Sequence, residues 1–168
     1  MSGMAWVRML IGAVWLNGAV EKFLNPDFAR QFAASLSAGG YISQAPLWFQ
    51  SFMQGTVVPN AELFAQFQSF GELALGLALI LGLLTNLAAL GSILLGLTIL
   101  VSQGGVRLGS GLGSPEFITV NLFIALISVV VLFSPAAKAL SLDAALSRRR
   151  PRLSPILLNR RARSGRRA

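Results

Sequence analysis

A carboxylate and a cation lie inside apolar runs of this sequence, where ionisable side chains are rare. Glu72 is followed by uncharged, mostly apolar residues as far as Thr85, and Lys22 lies near the end of an earlier apolar run. An ionisable group in membrane hydrocarbon costs at least ~2.5 kcal/mol, so it normally has a partner or a function. The two residues fall towards the outer ends of antiparallel spans, and pairing would reduce the desolvation cost of both. The sequence therefore predicts a Lys22–Glu72 ion pair.

Two interpretations of this pair stay open. In the first, it is a charge clasp that holds two helices together. In the second, it is a polar site beneath aromatic residues, suited to an amphipathic ligand with a polar head and an apolar body. A lipid-soluble quinone meets that description, because its ring carbonyls accept hydrogen bonds and its reduction takes up protons. Lys22 or Asn17 would then donate to a carbonyl, and Glu72 or Glu21 would relay a proton.

The composition limits the chemistry that the chain can perform by itself. Its 168 residues include no cysteine and no histidine, which excludes disulfides, thiolate nucleophiles, Fe–S clusters and His- or Cys-ligated haem. The six acidic residues are scattered, so we expect no metal site. We also expect no covalently bound cofactor. Redox chemistry would require a diffusible cofactor or a partner subunit, and whether the chain is an enzyme stays open.

The elements that position these residues are membrane spans. With 54% hydrophobic and 12% charged residues, the chain has the composition of a polytopic membrane protein. We predict an all-α membrane protein built as a four-transmembrane-helix bundle. The first apolar run lacks a cleavage site before Glu21, so we expect it to be retained as a span. The predicted spans are about 5–24, 61–84, 86–102 and 116–134, with a turn at Thr85-Asn86.

An aromatic segment separates the first two spans. Phe28, Phe32 and Leu36 repeat at four-residue spacing, which is typical of an amphipathic helix. Trp48 and Phe52 indicate a second one. Aromatic residues favour the membrane–water boundary, so we predict short interfacial helices that cap one side of the bundle. A packed lid outside the membrane is the alternative.

Small residues recur every four positions on both helices of the predicted hairpin. Such stripes let helix backbones approach closely in lipid, although small residues are also common in membrane helices generally. The candidate helix-packing residues are Ala74, Ala78 and Gly82 on the second span and Ala88, Ser92 and Gly96 on the third.

Two further charged side chains have alternative interpretations. Glu116 opens the fourth span, where its charge complements the helix dipole or supplies a second acidic group to the polar site. Arg8 lies near the other end of the first span from Lys22. Both cations can extend towards opposite headgroup layers, which would explain them without a function.

The carboxyl-terminal segment differs in composition from the rest. Nine arginines occur among the last 21 residues, and clustered cations beside a span remain cytoplasmic. We therefore predict a membrane domain at 1–143 and an Arg-rich tail at 144–168, with both termini cytoplasmic and the protein in the inner membrane of the cell. The tail would attract anionic lipid or an acidic partner. We expect no nucleic acid to bind. The residues assigned to lipid or partner binding are Arg148, Arg149, Arg150 and Arg152.

Together these residues resemble the DoxX/DoxD family of small four-span membrane proteins. The resemblance covers about residues 6–143 and leaves the arginine tail outside the family pattern. Its motifs appear here as Arg8, Gly12, Asn17-Gly18…Lys22, Glu72 with the apolar residues after it, Gly82-Leu83-Leu84-Thr85-Asn86, Pro115-Glu116-Phe117 and Ser141-Leu142-Asp143.

One position departs from the family pattern, because Asn86 stands where a basic residue is usual. The resemblance implies a membrane subunit linked to quinone-dependent oxidation of sulfur compounds, as in thiosulfate:quinone oxidoreductase, with a redox subunit as its partner. The alternative is a non-catalytic accessory subunit that packs against a larger respiratory or photosynthetic membrane complex. The oligomeric state stays open.

Overall fold

The computed structural model describes residues 3–37, 41–103 and 116–149, except for the side chains of residues 41 and 116–119. These ranges are almost entirely helical and contain no β-strand, as predicted for an all-α protein. Seven α-helices follow one another within these described ranges. They are α1 (Gly3–Leu24), α2 (Phe28–Leu36), α3 (Leu47–Phe52), α4 (Ala61–Leu81), α5 (Thr85–Ser102), α6 (Glu116–Phe133) and α7 (Leu142–Arg149).

Three helical stretches within the described ranges are long and apolar enough to cross a membrane: Gly3–Leu24, Leu47–Leu81 and Thr85–Ser102. A hydrocarbon layer of ~30 Å needs about 20 helical residues, which each of them approaches or exceeds. In α6 the part with described side chains, Val120–Phe133, is apolar but shorter. The chain is therefore a multi-pass membrane protein.

The second spanning stretch begins earlier than the sequence predicts. We expected this helix to start after Pro59, but Leu47–Leu81 is continuously helical. Immediately before Pro59 the chain widens into a π-helical segment, Met53–Val57, and then tightens into a 3₁₀ turn, Val58–Asn60. Since proline lacks the amide hydrogen of a regular helix, this change of pitch lets the helix pass through Pro59 without ending.

The turn of the hairpin between α4 and α5 also differs from the prediction, which placed it at Thr85-Asn86. Gly82 ends α4 with a φ of 67°, a left-handed conformation that glycine adopts without steric cost. Leu84 is also left-handed, with a φ of 49°, and Thr85 is already the first residue of α5. The turn therefore consists of residues 82–84.

The bundle consists of two closely packed helix pairs, α1 with α4 and α5 with α6. At the α1–α4 crossing, a β-carbon added to Gly12 would lie 2.9 Å from the Gly76 carbonyl oxygen, so glycine permits this approach. A buried hydrogen-bond chain joins the two pairs. The Trp15 indole donates to the Ser92 hydroxyl at 2.7 Å, and Ser92 shares a 2.8 Å hydrogen bond with Ser128.

The small-residue stripe of α5 lies on its buried face, because Ala88, Ser92 and Gly96 are all buried. Gly96 faces the backbone of α6 at Asn121 and the side chain of Ala125.

The corresponding stripe of α4 is not its packed face. Ala74 is exposed, Ala78 is only partly buried, and Gly82 belongs to the turn. Because α4 packs mainly on α1 rather than on α5, its buried face is defined instead by Ser69, Glu72, Gly76 and Leu79.

The predicted boundary between a membrane domain and a tail lies inside a helix. Residues 143 and 144 are both part of α7, which packs back onto the bundle by burying Asp143 and Ser147. Arg148 and Arg149 end this helix and are exposed. Arg150 and Arg152 lie outside the described residues.

The α1–α4 crossing gives a first testable prediction. In Gly76→Ala the new β-carbon would lie 2.8 Å from the Leu16 backbone nitrogen, which cannot move aside without shifting α1. We expect a loss of stability of about 1–3 kcal/mol, typical of overpacking. The measurement is thermal unfolding in detergent, compared with wild type.

Gly71→Ala is the matched control on the same helix, since a β-carbon there would meet nothing within 4 Å. Alanine favours helix over glycine by about 1 kcal/mol, so this variant should be as stable as wild type or more so. Equal stability of the two alanine variants would contradict the close approach.

Candidate functional site

Lys22 and Glu72 form the predicted ion pair between α1 and α4. The Lys22 ammonium donates to Glu72 Oε2 at 2.7 Å. The Glu72 side chain is only 3% exposed and that of Lys22 is 17% exposed, so the pair is largely removed from solvent. Glu72 lies near the middle of α4, whereas Lys22 lies two residues before the end of α1. The pair is therefore deeper in the bundle than the sequence predicts for α4.

Gln68 is the second hydrogen-bond partner of Glu72, and the sequence analysis did not assign it to the site. Its amide nitrogen donates to Glu72 Oε1 at 3.0 Å, so each carboxylate oxygen accepts one hydrogen bond. The Lys22 ammonium donates a second hydrogen bond to the Gly18 carbonyl, at 3.2 Å. The four-residue spacing of Gln68 and Glu72 on one helix was the sequence signal that could have identified this residue.

The helix α2 covers the ion pair on one side. The Lys22 ammonium lies 5.5 Å from the centre of the Phe28 ring, a distance at which the ring face attracts a cation. Helix α2 itself packs on α4. The predicted amphipathic helix at Phe28–Leu36 is therefore confirmed as a helix, and its first residue contacts the ion pair.

Two adjacent cavities lie beside this pair. One has a volume of about 290 Å³ and a mixed wall that includes Lys22, Phe28, Gln31, Gln68 and Gln103. The other has a volume of about 310 Å³ and is mainly apolar, with walls from α2, α4, α5 and the π-helical segment. Both volumes fall at the lower end of the range for ligand pockets. Five residues line both cavities, namely Phe32, Leu36, Gln68, Ile99 and Ser102.

Asn17 and Glu21 do not join the site. Asn17 donates to Glu21 at 3.1 Å, and both side chains are exposed on another face of α1. The hydrogen bond between them follows from their spacing of one helical turn. The sequence placed them near Lys22 along the chain, but a helix directs neighbouring residues about 100° apart. The side chain of Glu116, the remaining candidate, lies outside the described part of α6.

Arg8 does not extend towards a headgroup layer. It is fully buried at the opposite end of α1 from Lys22, and one guanidinium nitrogen donates to the carbonyls of Leu140 at 3.2 Å and Ile80 at 3.5 Å. The close fit of the guanidinium against Gly82 requires the missing β-carbon there. Arg8 therefore fastens the hairpin turn to the segment that follows α6.

Asp143 is the anion at this end of the bundle. It is fully buried, and its two carboxylate oxygens accept from the backbone amides of Leu84 at 2.9 Å and Thr85 at 2.7 Å. These amides begin α5, so Asp143 caps that helix from 58 residues away, and its charge suits the helix N-terminus. The sequence found Asp143 only as part of a Ser-Leu-Asp motif. Its capping function requires the fold.

Lys138 is buried in the same cluster, in the 3₁₀ turn Ala136–Lys138 that follows α6. Its ammonium donates to the Leu132 carbonyl at 2.8 Å. Burial lowers the pKa of Lys138 from its ordinary value of 10.5 to about 8, and the negative charge of Asp143 opposes this shift. The cluster contains no group of three or more potential metal ligands, and neither does the remainder of the described chain.

The fold and these clusters define a helical membrane protein with a buried ion pair. Beside the pair lie the two adjacent cavities, which we call together the two-part cavity. The sequence profile of one protein family, described as TQO small subunit DoxD, matches residues 4–158, nearly the whole chain. The chain therefore belongs to the DoxD family. The match continues past Asp143, so the family pattern includes part of the segment that we had predicted to lie outside it. No curated protein and no solved structure matches the chain.

The lowered pKa of Lys138 gives a pH-dependent prediction. In the unfolded chain Lys138 titrates near 10.5 and in the folded protein near 8, so between these values the unfolded state binds more protons. The free energy of unfolding should therefore rise between pH 8 and pH 10.5, by at most roughly 3 kcal/mol from this group. Below pH 8 Lys138 should not make the free energy of unfolding depend on pH.

The measurement is denaturant unfolding in detergent at several pH values between 7 and 11. Lys138→Met is the control, because it removes the group and keeps its apolar stem. The difference between the two profiles isolates Lys138 from other groups that titrate in this range. Parallel profiles would show that Lys138 is not desolvated in the folded state.

Proposed function

We propose that this chain binds a lipid-soluble quinone in the two-part cavity, as the quinone-interacting subunit of a membrane oxidoreductase. The observation that carries the proposal is the contiguity of a polar cavity beside Lys22 with an apolar cavity that shares five of its wall residues. A quinone has the same division, with a polar ring and an apolar tail. The family description, which names the small subunit of TQO, agrees with such a role.

The polar cavity offers the groups that a quinone ring needs. The Lys22 ammonium lines the cavity, and an ammonium group has three protons to donate, of which two are used by Glu72 and Gly18. The third is available to a ring carbonyl. The side-chain oxygen of Gln103 is buried and accepts no hydrogen bond from the described residues. Turned towards the cavity that Gln103 lines, this oxygen would accept from the hydroxyl group of a quinol.

The apolar cavity suits the tail. Its wall includes Phe52, Met53, Phe64, Phe67 and Leu95, whose side chains offer a large apolar surface. Methionine and phenylalanine side chains adapt well to a flexible chain of carbon atoms. Gln68 lies in the wall of both cavities, so it borders the junction between ring and tail.

Glu72 would act through Lys22 rather than on the ring itself. Both of its oxygens already accept hydrogen bonds, one from Lys22 and one from Gln68, and it lines neither cavity. It would hold the ammonium in place beside the polar cavity. Because the sequence contains no cysteine or histidine, the electrons would come from a partner subunit.

A non-catalytic accessory role is the second candidate, and one observation favours it. The 2.7 Å ion pair directly bridges α1 and α4, the most closely packed pair of long helices, and would clasp them together without any ligand. In that case the chain would pack against a larger respiratory or photosynthetic membrane complex.

A quinone-binding measurement separates the two roles. The double variant Lys22→Met/Glu72→Gln removes both charges together, so no unpaired charge remains buried. Loss of a charge-assisted hydrogen bond of about 1.5–3 kcal/mol should weaken the binding of decylubiquinone roughly 10- to 100-fold. Calorimetric titration in detergent measures this affinity, and thermal unfolding verifies that the variant is folded.

Glu21→Gln is the matched control, since Glu21 precedes Lys22 in the chain but faces away from the cavities. Its affinity for decylubiquinone should equal that of wild type. If the double variant also binds like wild type and loses only stability or complex assembly, the accessory role is correct.

We further infer four membrane spans with both termini in the cytoplasm. In support, α6 covers 18 residues and packs along α5, and the arginines at the end of α7 are of the kind that remain cytoplasmic. The residues between α1 and α4 would then face outwards, as would residues 103–115.

Cysteine labelling tests this topology without background, because the chain has no cysteine of its own. In intact inner-membrane vesicles of right-side-out orientation, Gln54→Cys should react with a membrane-impermeant maleimide. Ser164→Cys should react only after the vesicles are opened. Labelling of both sites, or of neither, in closed vesicles would contradict four spans.

A further inference from the structure

The outer face of α1 carries a polar pair where a membrane helix normally carries only apolar side chains. Asn17 and Glu21 are both exposed, and they hydrogen-bond to each other at 3.1 Å. They share this face with Leu10, Val14 and Leu24, which are also exposed. A carboxylate in a membrane span nearly always faces the interior of the bundle or a water-filled cavity. Glu21 is exposed instead, and it lines neither of the two cavities described above.

The depth of the pair follows from two contacts of α1. Arg8 donates to the Ile80 carbonyl, one residue before the end of α4, and therefore marks that end of the bundle. Asn17 and Glu21 lie nine and thirteen residues farther along α1, which places them about 14 Å and 20 Å from that level at 1.5 Å per residue. Lys22, the next residue, pairs with Glu72 near the middle of α4. In a hydrocarbon layer of ~30 Å, both exposed side chains lie inside the membrane.

The Asn17–Glu21 pair has acceptor positions for more hydrogen bonds than it makes. A carboxylate only accepts hydrogen bonds, at about four lone-pair positions, and among the described residues one bond, from Asn17, is made to Glu21. The Asn17 carbonyl oxygen is a further acceptor. The face therefore presents several acceptors and one negative charge. A group that complements this face would be a cation that donates hydrogen bonds at the same depth in the membrane.

We propose that this face of α1 is the docking surface for a transmembrane helix of another protein that carries an arginine or lysine at the depth of Glu21. Apolar residues of the partner helix would pack on Leu10, Val14 and Leu24 while its cation binds the Asn17–Glu21 pair. Burial between two helices would remove the carboxylate from lipid and pair its charge, which satisfies both requirements of an intramembrane anion.

A second copy of this chain is less suited to the surface. A two-fold axis normal to the membrane would bring two Glu21 carboxylates to the same depth at one interface. Within the described ranges, the exposed cations Arg30, Arg148 and Arg149 lie on α2 and α7, beyond the ends of α1 and α6. Lys22 is at the required depth but is already paired with Glu72, so a copy offers no exposed cation there among the described residues. The inference is independent of the proposed quinone site, which lies on the other side of Lys22.

The test uses the full chain in lipid vesicles and designed transmembrane peptides as probes. Three 20-residue leucine–alanine peptides differ only at their centre, which is arginine, glutamine or leucine. The protein carries a fluorophore at Ser51→Cys, an exposed position on α3, and each peptide carries the acceptor dye. Energy transfer at increasing peptide concentration gives the affinity. We expect the arginine peptide to bind at least tenfold more tightly than the leucine peptide.

The variants decide whether the proposed surface is responsible. Glu21→Gln should lower the affinity for the arginine peptide to that for the leucine peptide, and Asn17→Leu should lower it severalfold. Glu62→Gln is the matched control, because Glu62 is an exposed glutamate in the first turn of α4, and it should bind like wild type. Both substituted side chains of α1 are exposed, so unchanged thermal unfolding is expected.

Two results would overturn the proposal. The first is that the arginine and leucine peptides bind with equal affinity, or that Glu21→Gln leaves the affinity for the arginine peptide unchanged. The Asn17–Glu21 pair would then be solvated without a partner. The other is energy transfer between two differently labelled copies of the chain that disappears in Glu21→Gln. In that case the surface joins copies of this protein.

Discussion

The structure depends on the approach of α1 to α4 at a crossing lined by glycine. Gly12 and Gly76 bring the two backbones into contact, and only at that separation can Lys22 reach Glu72 at 2.7 Å. A buried pair of charges is stable only if both partners are satisfied, because removal of either leaves an unpaired charge that costs several kcal/mol. The close packing of α1 on α4 and the Lys22–Glu72 ion pair therefore depend on each other. Residues of α2, α4 and α5 line both of the cavities near this pair.

The two ends of α1 use charge in different ways. Arg8, Lys138 and Asp143 form a closed cluster in which backbone carbonyls and amides are the main partners, and it holds the hairpin turn against the segment after α6. Lys22, which is paired with Glu72, instead borders an open volume in which further hydrogen bonds can form. This contrast assigns a structural function to the Arg8 end of the helix and leaves the proposed ligand site near the other end.

The sequence predicts the ion pair and most helices, because residue type and apolar length determine both. Lys22 and Glu72 were identifiable since a lone charge in hydrocarbon requires a partner. Three features were not accessible from the sequence. The passage of the helix through Pro59 depends on a local change of helical pitch. Ala74 is exposed because α4 packs on α1 rather than on α5. The burial of Arg8 depends on a glycine 74 positions away in the sequence. Each is a tertiary effect that periodicity along one helix does not encode.

The reach of Asp143 to the start of α5 has a consequence for biosynthesis. The amides of Leu84 and Thr85 emerge from the ribosome long before the carboxylate that caps them, since Asp143 follows Thr85 by 58 positions and all of α6 lies between them. Chains grow and begin to fold from the amino terminus, so the α4–α5 hairpin enters the bilayer with its turn incomplete. Until α7 docks, the two amides depend on water at the membrane surface. The start of α5 is therefore capped only after α6 and the first turn of α7 have been synthesised.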